Sequence, residues 1–465
     1  MNIKPIEQKG EDAYRWNWDA PLIICPHNHK RLYFAANKVF RSDDRGNSWK
    51  VISEDLSQQI DRNTLKVMGS TWGPDAVALH KSTSIYGNIV SLNESPVQEG
   101  LLYAGTDDGL ILVTEDNGKS WKKLTSFPSI PANTYVMDIR VDQKDANTVY
   151  AVFNNHKQGD FKPYILKSTN KGTSWTSISD DLPEKGAVYT LRQDHIDPNI
   201  LFTGTEYGVF VTTDGGKKWV QINGGLPTIA IRDMEIHERE NDLVLASFGR
   251  GFYILDNYAP LRNMIDTTGK DAHILPIKDA LIFNQTNPLG TRGKSSQGEA
   301  FFTTKNPPIG AVITYYLGDD IKTIQDERRA AEKKARKDGG DVVYPDLDKL
   351  RAEDLEQEPY LLFEIKNADG NVVSRYTEKG KKGLNQSVWN FRMEPTSPVQ
   401  LKERDAGRYG SPDWGALVLP SDYTVTIHKM YRGELTQIAG PESFTVKRLH
   451  DTQISPADHD AWTDF

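Results

Sequence analysis

The chain has 465 residues, enough for two or more domains, and its 10% of aromatic residues, with ten tryptophans, suits a β-rich protein. The formal net charge of −8 argues against a nucleic acid or an anionic membrane surface as partner, because both need a basic patch. A single cysteine, Cys25, excludes an intrachain disulfide, no stretch is apolar enough to span a bilayer, and the N-terminus lacks the apolar region of a signal peptide.

A short pattern recurs four times in the first half of the chain, and we name each copy a box. It places a hydroxyl residue, an Asp or Asn, a Gly and a Trp at fixed offsets. The glycine can adopt backbone angles that other residues avoid, and the Asp and hydroxyl side chains can hydrogen-bond the backbone of the same turn. The tryptophan then opens the next strand and buries a large ring. We therefore predict that the box residues are structural and that each box tryptophan is largely buried. The boxes comprise Ser42, Asp44, Gly46 and Trp49; Thr114, Asp116, Gly118 and Trp121; Ser168, Asn170, Gly172 and Trp175; and Thr212, Asp214, Gly216 and Trp219.

Residues 12–258 form the repeat region. Each unit contains an apolar strand, a short second strand, a third strand that enters the box, and a fourth that starts at the box tryptophan. Four short antiparallel strands per repeat predict the blades of a β-propeller. A fifth unit, over residues 231–255, lacks a box. Five units of this kind predict an incomplete ring, whose edges would pair with the missing blades of a longer parent or self-associate.

Residues 259–280 are predicted to be a linker, and residues 281–450 an immunoglobulin-like β-sandwich. A charged insertion at about 319–359 contains a predicted solvent-exposed helix over residues 321–337. Residues 451–465 are a polar tail. The predicted fold class is therefore all-β, with propeller blades followed by a sandwich that carries a short helical insertion. The sandwich strands are predicted at 300–304, 311–317, 360–366, 372–376, 387–393, 423–429 and 443–446.

Segments between the boxes add to the pattern, namely residues 15–19, 82–87, 154–156, 204–208 and 248–256. With the boxes, they make the chain resemble the BNR/Asp-box repeat proteins, in particular large bacterial proteins labelled glycosyl hydrolase or sortilin-like. The resemblance implies carbohydrate or peptide ligands, an extracellular or periplasmic location, and a longer parent protein, since members of that family begin with a signal peptide and further blades. Asp-boxes occur in enzymes and non-enzymes alike, and the Arg-Ile-Pro motif of sialidases is missing here. No catalytic residue is therefore carried over by motif.

The loops between blades and the loops between second and third strands are expected to meet at one end of the blades, around the axis. Aromatic rings and charges at such a place can stack on a ligand and fix its orientation. We predict that these side chains converge in one cleft, with Arg250 near a carboxylate. The predicted ligand-binding face comprises Trp18, Tyr86, Asp108, His156, Glu206, Tyr207, Arg232, Asp233 and Arg250.

Two classes of function stay open at this point. The first is a non-catalytic binding or scaffold protein, because no catalytic motif is found. The second is a glycoside hydrolase that acts on a polysaccharide through two carboxylates across the cleft. The candidate carboxylates are Asp107, Asp108, Glu206 and Asp233, although Asp107, Asp108 and Glu206 also fit simple turns beside glycine. No metal and no cofactor is predicted.

Overall fold

The structure is a computed structural model that describes residues 3–66, 69–77, 87–267, 269–283, 304–395 and 415–450 and the single positions 458 and 461. Contacts divide the chain into two units, Met1–Tyr258 and Ala259–Phe465. Tyr86 and nearly all of the strand predicted at 300–304 lie outside the described residues. Within the described ranges, no helix is long and apolar enough to cross a membrane.

The first unit consists of antiparallel sheets that follow one another along the chain, and we name them blades 1 to 5. Strands that are neighbours in a sheet are also consecutive in sequence, so every blade is a simple meander. This arrangement confirms the predicted propeller blades. Blade 1 contains β1 (Leu22–Ile24), β2 (Leu32–Ala35), β3 (Val39–Ser42) and β4 (Lys50–Val51). Blade 2 contains β5 (Ile89–Glu94), β6 (Leu102–Thr106), β7 (Ile111–Thr114) and β8 (Lys122–Leu124). Blade 3 contains β9 (Tyr135–Val141), β10 (Val149–Asn154), β11 (Tyr164–Ser168) and β12 (Thr176–Ser177). Blade 4 contains β13 (Val188–Gln193), β14 (Leu201–Thr205), β15 (Gly208–Thr212) and β16 (Val220–Gln221), and blade 5 contains β17 (Ile231–His237), β18 (Asp242–Ser247) and β19 (Phe252–Leu255).

We call the first strand of each blade its inner strand, and in blades 2 to 5 it packs against the blade before it. The strands β6, β10, β13 and β14 are buried along their whole length, because neighbouring blades cover both of their faces. A glycine in β14 permits a close approach there. A Cβ on Gly204 would lie 2.7 Å from the carbonyl oxygen of Ile231 in blade 5. Blade-to-blade packing therefore depends on a position without a side chain.

The inner strands of blades 2 to 5 share a β-bulge at the same place. Pairing with the second strand shifts by one residue, so Val90, Met137, Tyr189 and Arg232 are the extra residues. A bulge bends its strand and changes the direction of the side chain it carries. The repeated bulge thus sets which side chains of each inner strand point toward the end where the strand begins.

The boxes form one type of hydrogen-bonded turn. In the first box, the hydroxyl of Ser42 accepts from the amide of Gly46 (2.8 Å) and donates to Asp44 (2.7 Å). Asp44 also accepts from the amide of Ser48 at 2.9 Å. These contacts lower the pKa of Asp44 to about 2, with the Ser48 hydroxyl as the largest cause. Asn170 takes the place of the carboxylate in the third box and still accepts from an amide, that of Ser174, at 2.8 Å.

Three of the box tryptophans also form a hydrogen bond with a segment that precedes their own blade. In each case the indole N–H donates to the carbonyl of an isoleucine: Trp49 to Ile3 (2.7 Å), Trp121 to Ile52 (3.1 Å) and Trp219 to Ile178 (2.7 Å). Ile52 and Ile178 follow the last strand of the preceding blade. Ile3, near the N-terminus, therefore occupies the position that the end of a blade occupies at the later boxes.

The box tryptophans differ in burial. Trp219 is 5% exposed, whereas Trp49, Trp121 and Trp175 are half-buried, so the expectation of large burial holds fully only for Trp219. The indole nitrogen of Trp175 is buried, and among the described residues it has no hydrogen-bond partner.

One face of blade 5 is exposed where the equivalent face of blade 4 is covered. Phe252 and Ile254 are 76% and 58% exposed, while Val209 and Val211, which hold the same places in blade 4, are 0% and 8% exposed. In blades 2 to 4 the inner strand of the following blade covers this face. That the ring is incomplete stays a prediction, and this apolar face is the surface on which it depends.

The second unit has two sheets that share one apolar core, as a β-sandwich does. The first sheet has the order β20-β22-β25, and the second β21-β27-β26-β23-β24, in which β21 runs parallel to β27. Trp389 and Phe363 lie in the common core. The strands are β20 (Ala272–Ile274), β21 (Ala280–Ile282), β22 (Ala311–Leu317), β23 (Tyr360–Asn367), β24 (Val372–Glu378), β25 (Gly383–Trp389), β26 (Ser421–Tyr431) and β27 (Glu434–Arg448).

The insertion contains two helices, α1 (Ile324–Lys337) and α2 (Leu347–Leu355), where the sequence predicts one. An ion pair of 2.7 Å between Arg328 and Glu353 joins them. The segment predicted as a linker includes a 3₁₀ helix, Ala259–Thr267, as well as β20, and further short 3₁₀ helices are Arg62–Thr64 and His156–Gln158. The strand predicted at 387–393 is instead β25, because its polar Asn-Gln-Ser stretch pairs with β22.

Candidate functional site

The inner strands begin at the end of the blades where two kinds of loop meet, and we call this end the mouth. Backbone hydrogen bonds join the loops there. The amide of Asp107 donates to the carbonyl of Asn88 (3.0 Å), and the amide of Glu206 to that of Ala187 (3.0 Å). The mouth is defined by Asn17, Trp18, Asp19, Asp107, Tyr135, His156, Lys157, Tyr189, Glu206 and Arg232.

A cation, an aromatic ring and a carboxylate form a chain between blades 4 and 5. The guanidinium of Arg232 lies 4.1 Å from the ring centre of Tyr189 and 5.7 Å from that of Phe248, in cation–π geometry. The hydroxyl of Tyr189 donates to Glu206 at 2.5 Å. Burial and then this hydrogen bond raise the pKa of Tyr189 to about 12. Tyr189 and Arg232 are both bulge residues, and the bulge brings the two side chains together.

A second cation–aromatic pair links blade 3 to blade 2 and to the segment before blade 1. The ammonium of Lys157 lies 4.8 Å from the ring centre of Tyr135. The side chain of Asn17 lies near the Tyr135 hydroxyl and donates to the side-chain oxygen of Asn88, before β5, at 3.1 Å. Burial lowers the pKa of Lys157, and the nearby carboxylates of Asp107 and Asp19 oppose that shift. The N-terminal segment therefore takes part in the mouth.

His156 lies near both cations of the mouth, Lys157 and Arg232. Its ring nitrogen Nδ1 and its backbone amide both contact the side-chain oxygen of Asn154, so the ring is held in place. Burial lowers the pKa of His156, with a further contribution from Lys157 and Arg232, whereas Glu206 opposes it. The imidazole is thus neutral near pH 7 and can donate or accept a hydrogen bond.

Asp107 is buried at the floor of the mouth and 3% exposed. One of its oxygens accepts from the amides of Gly87 (2.8 Å) and Asn88 (3.0 Å). Burial raises the pKa of Asp107 to about 7. A cavity of about 10 Å³, lined in part by Tyr135 and Lys157, lies beside it and has room for one water molecule.

Asp108 has no access to the mouth. It is fully buried, and its carboxylate accepts from the Thr106 hydroxyl (2.5 Å) and the Gln58 amide (2.8 Å). Burial raises its pKa. Asp108 therefore ties the segment after blade 1 to the loop of blade 2, which is a structural role.

The remaining predicted residues are dispersed. The indole of Trp18 is 99% exposed. Tyr207 is partly exposed, and its carbonyl accepts from Gln221 at 3.0 Å. Arg250 is exposed and forms no ion pair with any described carboxylate, so the expected pairing is not observed. Tyr86 lies outside the described residues.

Asp233 belongs to a different cluster from the one predicted. Its carboxylate accepts from Arg192 at 2.7 Å, further along the inner strands than the mouth. The bulge at Arg232 is the reason, because one extra residue changes which side of the strand the following residue faces. Lys157 and Asp19 also belong to the mouth but are not among the predicted residues, although each directly follows one in the same loop.

The carboxylates near the mouth are mostly engaged by the protein itself. Asp107 bonds backbone amides, Asp108 bonds a hydroxyl and an amide, and Glu206 bonds a tyrosine. Cationic and aromatic groups remain at the surface beside them. Within the described part of the chain, no group of three His, Cys, Asp or Glu residues could hold a metal ion.

No protein-family model and no curated protein matches this sequence. Among solved structures, the chain is similar to the GH74 xyloglucanase from Xanthomonas campestris, with 17% identity, a TM-score of 0.40, and coverage of 52% of this chain and 37% of that one. It is also similar to the GH74 enzyme of Niastella koreensis, with 13% identity, a TM-score of 0.37, and coverage of 90% and 56%. YCF48 from Cyanidioschyzon merolae shows 11% identity, a TM-score of 0.31, and coverage of 56% and 88%. The chain thus spans less than two thirds of either GH74 protein.

Proposed function

We propose that the first unit is a binding module that takes a carbohydrate at the mouth. Its exposed indole, Trp18, offers an apolar face on which a sugar ring can stack. Lys157 and Arg232 are cations of the same mouth, each over a tyrosine ring, that can orient hydroxyl or acidic groups. The observation that carries the proposal is the contact between side chains from the N-terminal segment and from blades 2 to 5 at one end of the inner strands. As the family resemblance implies, such a module would act in an extracellular or periplasmic setting.

Binding fits the mouth better than hydrolysis does. A glycoside hydrolase needs two carboxyl groups that reach the same sugar bond. Asp107 is buried, Glu206 is bound to Tyr189, and Asp233 is bound to Arg192. Each would have to leave its partner before it could act on a substrate.

One observation favours the hydrolase as a second candidate. The pKa of Asp107 is raised to about 7, the range of a carboxylic acid that can protonate a leaving group near neutral pH. In that case Asp107 would be the acid and Glu206 the second carboxylate. A substrate would need to enter the water-sized cavity beside Asp107 to reach that carboxyl group.

The experiment is a binding screen of the full chain against soluble polysaccharides and peptides, with reducing-end release measured in the same samples. We expect retention on one polysaccharide class without release of reducing ends. Trp18→Ala should weaken that binding about tenfold, because stacked aromatic residues carry much of the energy in such sites. Tyr344→Ala is the matched control, since Tyr344 is an 84% exposed aromatic residue of the second unit.

Other outcomes point to other functions. Binding to peptides alone, weakened by Arg232→Ala, would identify a peptide receptor. Release of reducing ends that stops in both Asp107→Asn and Glu206→Gln would establish the hydrolase. Equal binding by the wild type and Trp18→Ala would contradict the proposed site.

A further inference from the structure

A second polar cavity lies further along the inner strands than the mouth and has a volume of about 70 Å³. Asn93, Arg140, Arg192 and Glu235 line it, one from each of blades 2 to 5, and Glu238 stands at its rim. These four lining residues occupy equivalent positions in the inner strands, three residues beyond each bulge residue. At about 3.3 Å per residue, the cavity is therefore roughly 10 Å from the bulge residues of the mouth.

Within this cavity Arg192 is fully engaged by the protein. Its Nη1 donates to Asp138 (3.0 Å), its Nη2 to Asp233 (2.7 Å), and its Nε contacts Glu235 at 3.4 Å. The side chain is 8% exposed. Arg192 is thus a structural link between blades 3, 4 and 5 and offers little to a ligand.

Arg140 stands in the equivalent place in blade 3 but is only partly engaged. Its Nε contacts Asp138 at 3.0 Å, while its Nη1 and Nη2 donate to no described residue. Burial lowers the pKa of Arg140, against the opposing charge of Asp138. The side chain of Arg140 is 29% exposed, so these N–H groups are accessible to a ligand that enters the cavity. Two parallel N–H donors match the two oxygens of a carboxylate.

Asn93 adds a donor to the same cavity. Its side-chain oxygen accepts from the amide of Val141 at 3.2 Å, and this bond fixes the orientation of the side-chain amide. The NH₂ group is then left as a further donor beside Arg140. The two exposed carboxylates, Glu235 and Glu238, lie at the outer side.

We propose that this cavity binds the carboxylate group of a small molecule, held by Nη1 and Nη2 of Arg140 and by the amide of Asn93. The inference does not depend on the function proposed for the mouth. Glu235 and Glu238 at the rim repel a second negative charge on the ligand, and they suit a neutral or ammonium group there. The ligand class is therefore a monocarboxylate or an α-amino acid, and dicarboxylates are disfavoured.

The test is a titration of the full chain with acetate, glycine and succinate at constant ionic strength, followed by saturation-transfer NMR and thermal shift. We expect saturable binding of acetate and of glycine, and binding of succinate at least about tenfold weaker. Tighter binding of glycine than of acetate would identify the amino acid as the source of the carboxylate, and the reverse order a simple carboxylic acid. Succinate that binds as tightly as acetate would overturn the proposal.

Variants separate the site from a general effect of charge. Arg140→Gln should weaken acetate binding at least about tenfold, while Arg239→Gln, at an arginine whose side chain is 81% exposed, should leave it unchanged. Glu235→Gln should tighten acetate binding and reduce the difference between acetate and succinate. Because the side chain of Glu235 is exposed, we expect Glu235→Gln to fold, and it tests the site even if Arg140→Gln does not fold. Acetate binding that is unchanged in Arg140→Gln, or weakened in Glu235→Gln, would overturn the proposal.

Discussion

Replacement of Trp219 by phenylalanine is expected to remove one hydrogen bond and keep most of the ring packing. Trp219 lies in the apolar cluster between blades 3 and 4, and its indole N–H donates to the carbonyl of Ile178 at 2.7 Å. Phenylalanine cannot donate, so that carbonyl loses its partner at a cost of about 1–3 kcal/mol. The missing ring atoms add a loss on the order of 1 kcal/mol. We therefore expect the unfolding free energy of the propeller unit to fall by roughly 2–4 kcal/mol.

Trp175→Phe is the matched control. Trp175 opens the equivalent strand in blade 3, but its buried indole nitrogen has no partner among the described residues. The substitution then removes an unpaired donor, and only the smaller packing loss remains. Calorimetry of the full chain, following the transition of the propeller unit, should show Trp219→Phe the more destabilised by about 1–3 kcal/mol. Equal losses, or a larger loss for Trp175→Phe, would refute the reasoning.

Further predictions concern the boxes, the mouth and the faces of the blades. The pKa of Asp116 is lowered to about 2, first by the Ser120 hydroxyl, so its contribution to stability is present above the unfolded pKa and is lost as the pH falls through about 2. Asp116→Asn should lack this contribution at pH 7 and should therefore remove the acid loss from a melting series between pH 2 and pH 5. The pKa of Asp107 is raised to about 7, so the folded state binds the proton more tightly and loses stability as the pH rises from about 4 to about 7. Asp107→Asn should flatten that slope and gain on the order of 1–4 kcal/mol at pH 8, and an unchanged melting profile would contradict it. Gly204→Ala should cost about 1–3 kcal/mol in urea unfolding, because its Cβ would collide with the inner strand of blade 5. The chain should self-associate in light scattering through the exposed face of blade 5, and serine at both Phe252 and Ile254 should return it to a monomer; a monomeric wild type would contradict this.

The blades could be predicted from the sequence because their signals are local. A box is closed by hydrogen bonds between residues no more than four apart, such as Ser42 with Gly46, so its residues are visible in a short stretch. The repeat then transfers the strand order from one blade to the next. Because the strand order repeats, Tyr189, Glu206 and Arg232 lie at the same end of the inner strands.

What the sequence could not predict depends on contacts across blades. Asp233 was expected at the mouth, but the bulge at Arg232 turns it to Arg192, and a one-residue bulge leaves no clear mark in the sequence. Arg140 and Asp138 lie two residues apart in the inner strand of blade 3, and only the neighbouring blade shows that Asp138 also pairs with Arg192. The helix α2 was missed because its few apolar residues do not form a continuous stripe.

The contact between three of the box tryptophans and the segment before their blades gives the propeller a direction. The indole of Trp121 donates to the carbonyl of Ile52, and that of Trp219 to the carbonyl of Ile178. The box turn of each of these blades can therefore form all its contacts only after the preceding blade has folded. Synthesis on the ribosome delivers the blades in this same order. We therefore expect blades to become protease-resistant one after another from the N-terminal side in ribosome-stalled chains of increasing length. Removal of the residues around Ile3 should delay the first of them, because Trp49 would lose its acceptor, and resistance that began at blade 4 would contradict this order.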